Sequence, residues 1–182
     1  MNALRLCLMG IVLLSGPLYS GEWTPEVEAT RGGQTLVTYR AKLDGDFLVV
    51  QLTAAKGWHT YAMDNKQRAT DALGGKMSLG VEESTEVTVS GGLEVAGPWY
   101  QSEPKDFSQP KLRWFTWGFD EPALLAAKVK RSGEGPATVT IDAQVCDSAS
   151  CQAVKTELQV PVSGAGTKTE FDLQGLVPVR TE

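Results

Sequence analysis

The sequence predicts an all-β fold, and three observations support that prediction. Residues 137–145 alternate apolar and polar side chains throughout, which is the pattern of a strand with one solvated face. The 182-residue chain contains 19 glycines and 9 prolines, which suggests many turns. These turns separate short strand-like runs without repeated β–α alternation. Together the features favour a single two-sheet β-sandwich of immunoglobulin-like type.

Residues 1–20 are predicted to be a signal peptide and not part of the fold. Arg5 supplies a positive charge, residues 6–14 form a short apolar run, and small residues near its end allow cleavage. The alternative is a membrane anchor, but a spanning helix needs about 20 apolar residues. Cleavage would remove Cys7 and export the rest of the chain. Residues 21–33 then form a polar lead-in with little periodicity.

The immunoglobulin-like domain is predicted to span residues 34–163. Its first two strands flank a Gly-Asp turn and should form a hairpin. Residues 96–111 contain three prolines and are expected to form a long excursion outside the core. The tail, residues 164–182, is expected to be loosely ordered. The strand-like runs are 35–43, 47–55, 85–92, 112–119, 123–132, 137–145 and 154–162. The pattern of 123–132 alone fits either a helix or a strand, and its strand-rich neighbours favour a strand.

The charge balance limits the classes of partner. The chain has 17 Lys and Arg against 22 Asp and Glu, a net charge of −5, and no basic cluster. Nucleic acids and anionic membrane surfaces are therefore not expected as partners.

Two cysteines, Cys146 and Cys151, remain after signal removal, and export places them where disulfides persist. They lie between two strand-like runs, so the runs should form a hairpin with the cysteines near its tip. If the alternation continues, both sulfurs lie on the solvated face. Their Cα atoms could then approach to the roughly 4.4–6.8 Å that a disulfide needs.

The residues alone leave more than one role open for this pair. A structural staple across so short a loop contributes only about 2 kcal/mol. An accessible disulfide could instead exchange with a partner thiolate. Zinc is not expected, because two cysteines and the single His59 cannot supply the usual four ligands. A thioredoxin-like site is disfavoured, because strands and not a helix flank the pair and the spacer has four residues.

Electrostatics limits the reactivity of the pair. Asp147 lies in the loop, and a neighbouring carboxylate disfavours a thiolate. We therefore expect a carrier whose disulfide is opened by the activated thiolate of a partner.

Two stretches, "VCDSASCQAVKTELQVPV" and "KGWHTYA", resemble the amino-terminal periplasmic domain of the thiol–disulfide interchange protein DsbD. That family has two cysteines on a hairpin of an immunoglobulin-like sandwich and a Gly-aromatic-aromatic-x-Tyr segment. The resemblance implies that Cys151 forms the mixed disulfide and that Cys146 resolves it. It also implies that His59 and Tyr61 line the site and that Phe107 is the candidate aromatic cap.

The resemblance further implies a periplasmic carrier of reducing equivalents. Such a carrier takes electrons from a thioredoxin-like protein, supplied by a separate membrane electron donor, and passes them to exported client oxidoreductases. It needs no dissociable cofactor, because the two sulfurs hold the electrons. The spacer here is one residue shorter than in the best-known members. The resemblance therefore does not decide which of the two sulfurs is exposed. The competing hypothesis is a non-enzymatic immunoglobulin-like binding module with a structural disulfide.

Overall fold

A computed structural model describes residues 21–76, 78–80, 83–162 and 171–181, so the predicted signal peptide lies outside the described residues. Two antiparallel sheets pack face to face. The first has the strand order β1 (Val27–Arg31), β2 (Gln34–Asp44), β3 (Phe47–Ala54), β9 (Ala123–Arg131), β6 (Leu93–Ser102), β12 (Leu176–Pro178). The second has the order β11 (Cys151–Val160), β10 (Ala137–Cys146), β4 (His59–Tyr61), β8 (Trp117–Phe119), β7 (Lys105–Asp106), and β5 (Glu86–Gly91) also pairs with β10.

Alternating side chains from the two inner faces form the core. Strand β3 contributes Leu48 and Leu52, and strand β10 contributes Val139 and Ile141, all four at 0% exposure. Full burial of one such side chain is worth about 1.5–3 kcal/mol. The predicted all-β class and two-sheet sandwich are confirmed, and 123–132, ambiguous by its own pattern, is strand β9.

Three segments differ from the expectations. The lead-in contains β1, an edge strand that buries only Ala29 and therefore has a weak alternation signal. The supposed excursion 96–111 begins inside the sheet, because β6 continues to Ser102. A register shift between Val95 and Trp99 interrupts the period of β6 and hides the strand from pattern analysis.

The tail also joins the first sheet. Strand β12 pairs with β6 residues 100–102, and the Phe171 ring lies 5.5 Å from that of Phe47. A three-residue strand has too few positions to establish a period, so the sequence offers no local signal for it. The rest of the predicted tail, 164–170 and 182, lies outside the described residues.

One α-helix occurs in the described part of the chain, α1 (Asn65–Ala72), in a stretch whose pattern was ambiguous. Asp64 precedes it but makes no side-chain cap. Its buried carboxylate instead accepts hydrogen bonds from Arg68 Nε (2.8 Å), Gln101 Nε2 (2.6 Å) and the Arg180 backbone N–H (3.1 Å). This network joins α1 to β6 and to the tail. No described helix is long and apolar enough to span a membrane.

Candidate redox site

The two cysteines face each other at the end of the β10–β11 hairpin. Cys146 is the last residue of β10, Cys151 is the first of β11, and they are direct partners in the ladder. They form a disulfide with an S–S distance of 1.96 Å and a Cα–Cα distance of 4.0 Å. The predicted hairpin with its cysteines at the tip is therefore present.

The four-residue loop between the cysteines is organised by Asp147. Its carboxylate accepts hydrogen bonds from the backbone N–H groups of Ala149 (2.8 Å) and Ser150 (2.7 Å). These bonds lower the pKa of Asp147 below its ordinary value, the Ala149 bond contributing most. The loop therefore holds a negative charge beside the disulfide at neutral pH.

The two sulfur-bearing residues differ in exposure. Cys151 is exposed, whereas Cys146 is only 1% exposed. The expectation that both sulfurs lie on the solvated side is right for Cys151 and wrong for Cys146. The reason is that β4 pairs with the end of β10, His59 opposite Cys146, and places the Tyr61 hydroxyl against that sulfur.

Tyr61 and His59 form a hydrogen-bonded pair next to Cys146. The Tyr61 hydroxyl donates to Cys146 Sγ at 3.2 Å, and His59 Nε2 lies 3.3 Å from the same hydroxyl oxygen. The two rings are nearly perpendicular, with centroids 5.3 Å apart. Tyr61 is 1% exposed and His59 is half-buried, so the pair extends from the buried sulfur towards the surface.

Phe107 reaches this cluster through His59. Its ring centroid lies 4.9 Å from that of His59, and its backbone N–H donates to Thr116 O at 2.9 Å. Lys105 Nζ lies 5.3 Å from the Phe107 centroid and 2.5 Å from an Asp120 carboxylate oxygen. The structure therefore brings all five candidate residues from the sequence analysis into one contiguous cluster.

Burial sets the protonation of His59. Desolvation lowers its pKa below the ordinary value of about 6.5, although the charges of Asp120 and Asp147 raise it in part. The imidazole is therefore predominantly neutral at pH 7.

Two further residues position the cluster and were not singled out in the sequence. Gly118 of β8 packs against β4 so closely that a Cβ would lie 2.0 Å from Thr60 O. A glycine inside a strand pattern is a known signal of such close approach. Asn65 Oδ1 accepts hydrogen bonds from Trp117 N–H (2.7 Å) and the Thr116 hydroxyl (3.1 Å), which holds the Phe107 segment to α1. No local sequence pattern indicated that Asn65 would have this role.

Among the residues that the structure describes, no group of three or more His, Cys, Asp or Glu side chains is arranged to hold a metal ion.

Comparisons with known proteins place the chain. The sequence model of the family described as thiol:disulfide interchange protein DsbD, N-terminal, matches residues 27–163. Among solved structures, the crystal structure of the Neisseria meningitidis DsbD n-terminal domain in the reduced form is similar, at 17% identity and a TM-score of 0.42. That match covers 66% of this chain and 79% of the Neisseria chain. No curated protein sequence matches. Because the family match spans most of the chain and includes both cysteines, the protein belongs to the family of the DsbD N-terminal domain.

Proposed function

We propose that this protein is an exported thiol–disulfide interchange protein that relays reducing equivalents through Cys146 and Cys151. Its donor is a thioredoxin-like protein fed by a separate membrane electron donor, and its clients are periplasmic redox proteins. The observation that carries the proposal is the asymmetric disulfide, with an exposed Cys151 bonded to a buried Cys146. Membership of the DsbD N-terminal domain family supports the same role.

The exchange proceeds in two balanced steps. A thiolate of the reduced donor attacks Sγ of Cys151, a bond forms between the two proteins, and the S–S electron pair passes to Cys146 Sγ. The second thiolate of the donor then attacks the donor sulfur that is bonded to Cys151. The donor disulfide forms, and Cys151 is released as a thiolate. The donor leaves oxidised, the carrier gains two electrons, and its two sulfurs take up protons. The reverse sequence reduces a client disulfide.

The hairpin ladder argues against the competing structural role. Strands β10 and β11 pair continuously from Ala137 opposite Val160 to Cys146 opposite Cys151. A cross-link at the tip of a ladder this long closes only a short loop, for which the chain-entropy model gives about 2 kcal/mol. The disulfide is thus poorly placed as a staple and well placed for contact with another protein.

Phe107 has a supporting role in this proposal. Its ring covers His59, which in turn lies beside the tyrosine that contacts Cys146. We assign Phe107 as an aromatic cap that limits access to the cluster until a partner docks.

A transfer assay tests the proposed function. The purified protein is reduced, freed of reductant and mixed with an oxidised thioredoxin-like protein. We expect thiols to appear on the acceptor while the carrier becomes oxidised, because an exposed sulfur permits the mixed disulfide. The matched control is the Cys146→Ser/Cys151→Ser double variant, which keeps the fold without the thiols. Transfer no faster than in this control would refute the proposal.

A further inference from the structure

The buried sulfur raises a problem of proton movement, given the proposed function. Cys146 gains a proton whenever the carrier is reduced and must lose it before its sulfur can attack. With a residue exposure of only 1%, its thiol has little direct contact with bulk water. Burial among apolar groups also disfavours the thiolate. A group that takes this proton would speed the step in which Cys146 acts.

A path for the proton exists in the cluster. Tyr61 Oη lies 3.2 Å from Cys146 Sγ and 3.3 Å from His59 Nε2. His59 is half-buried and so reaches the solvent boundary. His59 is also the single histidine of the chain. In the Gly-aromatic-aromatic-x-Tyr segment, His59 occupies the second aromatic position. The aromatic ring at that position can therefore accept a proton in this chain.

We propose that His59, acting through the Tyr61 hydroxyl, accepts the proton of the Cys146 thiol when Cys146 releases a client from the mixed disulfide. The inference rests on the proposed function and adds a specific role for a residue that otherwise only lines the site.

The step balances as follows. In the mixed disulfide the client sulfur is bonded to Cys151 Sγ, and Cys146 is a thiol. Tyr61 Oη takes the thiol proton while its own proton passes to the neutral imidazole at Nε2. The Cys146 electron pair attacks Cys151 Sγ, the carrier disulfide forms, and the client sulfur leaves as a thiolate. The client is reduced by two electrons, the carrier is oxidised, and the imidazolium returns its proton to solvent.

The charged groups around His59 are compatible with this role. The negative charges of Asp120, after β8, and of Asp147, in the cysteine loop, raise the pKa of His59 in part and so stabilise the imidazolium that forms. Lys105 Nζ lies 5.3 Å from the Phe107 ring centroid and is paired with Asp120, so it partly offsets that carboxylate. Tyr61 is a further titratable neighbour, and its hydroxyl oxygen lies 3.3 Å from His59 Nε2.

A single-turnover assay isolates the step. The reduced, purified protein is mixed with Ellman's reagent, whose first thionitrobenzoate is released when Cys151 attacks. The second is released when Cys146 resolves the adduct on Cys151. The rate of the second release, measured against pH, is the readout.

We expect the wild-type rate to level off near neutral pH and to fall only below the lowered pKa of His59, which lies under the ordinary value of about 6.5, because protonated His59 cannot accept the proton. The His59→Phe variant keeps an aromatic ring against Phe107 but has no internal base, so its rate should rise with pH throughout this range and show no plateau, because Cys146 must then ionise unassisted. Its release at pH 7 should be roughly 100-fold slower, the lower end of the range for general-base assistance. Tyr61→Phe should show a similar loss, and the double variant should add little to it, because both residues serve one path.

The Phe107→Ala variant is the matched control. It removes the neighbouring ring but keeps the imidazole, so its release rate should still level off above the pKa of His59. Thermal unfolding of each variant monitors whether it is folded. If folded His59→Phe has the wild-type pH profile and rate, the inference is wrong while the proposed function stands. If the folded wild-type protein gives no second release at all, the proposed function itself fails.

Discussion

Replacing Cys151 with serine is expected to slow mixed-disulfide formation roughly 100-fold, whereas replacing Cys146 with serine is expected to preserve it. Cys151 is an exposed residue, so a docked partner can reach it more easily than it can reach Cys146. In the Cys151→Ser variant the remaining thiol belongs to Cys146, which is 1% exposed beneath Tyr61. Exposing it requires local opening, and an opening cost of about 3 kcal/mol slows attack roughly 100-fold.

The measurement is capture of a thioredoxin-like protein that lacks its own resolving cysteine. The mixed disulfide is separated on non-reducing gels and timed for each single variant. The Cys146→Ser variant should accumulate the adduct, because no second thiol in the carrier can release it. The double variant controls for non-covalent association. Equal capture rates for the two single variants would contradict the assignment of Cys151 as the sulfur that partners attack.

Replacing Asp64 with alanine is expected to lower the free energy of unfolding by about 3 kcal/mol or more. Its carboxylate is fully buried, and the side chain of its ion-pair partner Arg68 is 8% exposed. Removal of Asp64 breaks this buried pair and leaves the Arg68 guanidinium with its longer contact to Glu103 (3.5 Å), and breaking a buried pair typically costs about 3–5 kcal/mol. It also removes the acceptor for Gln101 and for the Arg180 backbone N–H.

Urea titration and thermal unfolding of the oxidised protein measure this effect. For a protein of this size the loss corresponds to a decrease in Tm of roughly 6–12 °C. The matched control is Asp142→Ala, which removes an exposed ion pair with Lys155 (3.2 Å) on β10 and β11. That change should stay within about 1 kcal/mol. Similar losses for the two variants would mean that the Asp64 network does not hold α1, β6 and the tail together.

The contrast between local and long-range information explains which parts of the fold the sequence could predict. The alternation from Ala137 to Val145 arises because one face of the strand packs on the core. The local sequence is therefore sufficient to predict this strand. Strand β12 and the β6 segment after its register shift are held by pairing with distant strands. No window of sequence contains both members of such a pair, so pattern analysis left these segments outside the sandwich.

The candidate site divides in the same way. The positions of Cys146 and Cys151 on a hairpin follow from the runs that flank them, and the aromatic candidates followed from the family resemblance. The burial of Cys146 depends on β4 pairing with the end of β10, a contact between residues more than 80 positions apart. The alternation of side chains along β10 predicts on which face of the sheet Cys146 lies. It does not predict which residues from other strands cover that face.

The reduction potential of the Cys146–Cys151 pair tests the central claim most directly. The protein is equilibrated in thiol–disulfide buffers of known potential, and its oxidised fraction is determined after acid quenching and alkylation. A disulfide that exchanges with partners should have a potential above about −300 mV, within reach of redox proteins. A potential below that value would identify a structural bridge and contradict the proposed relay.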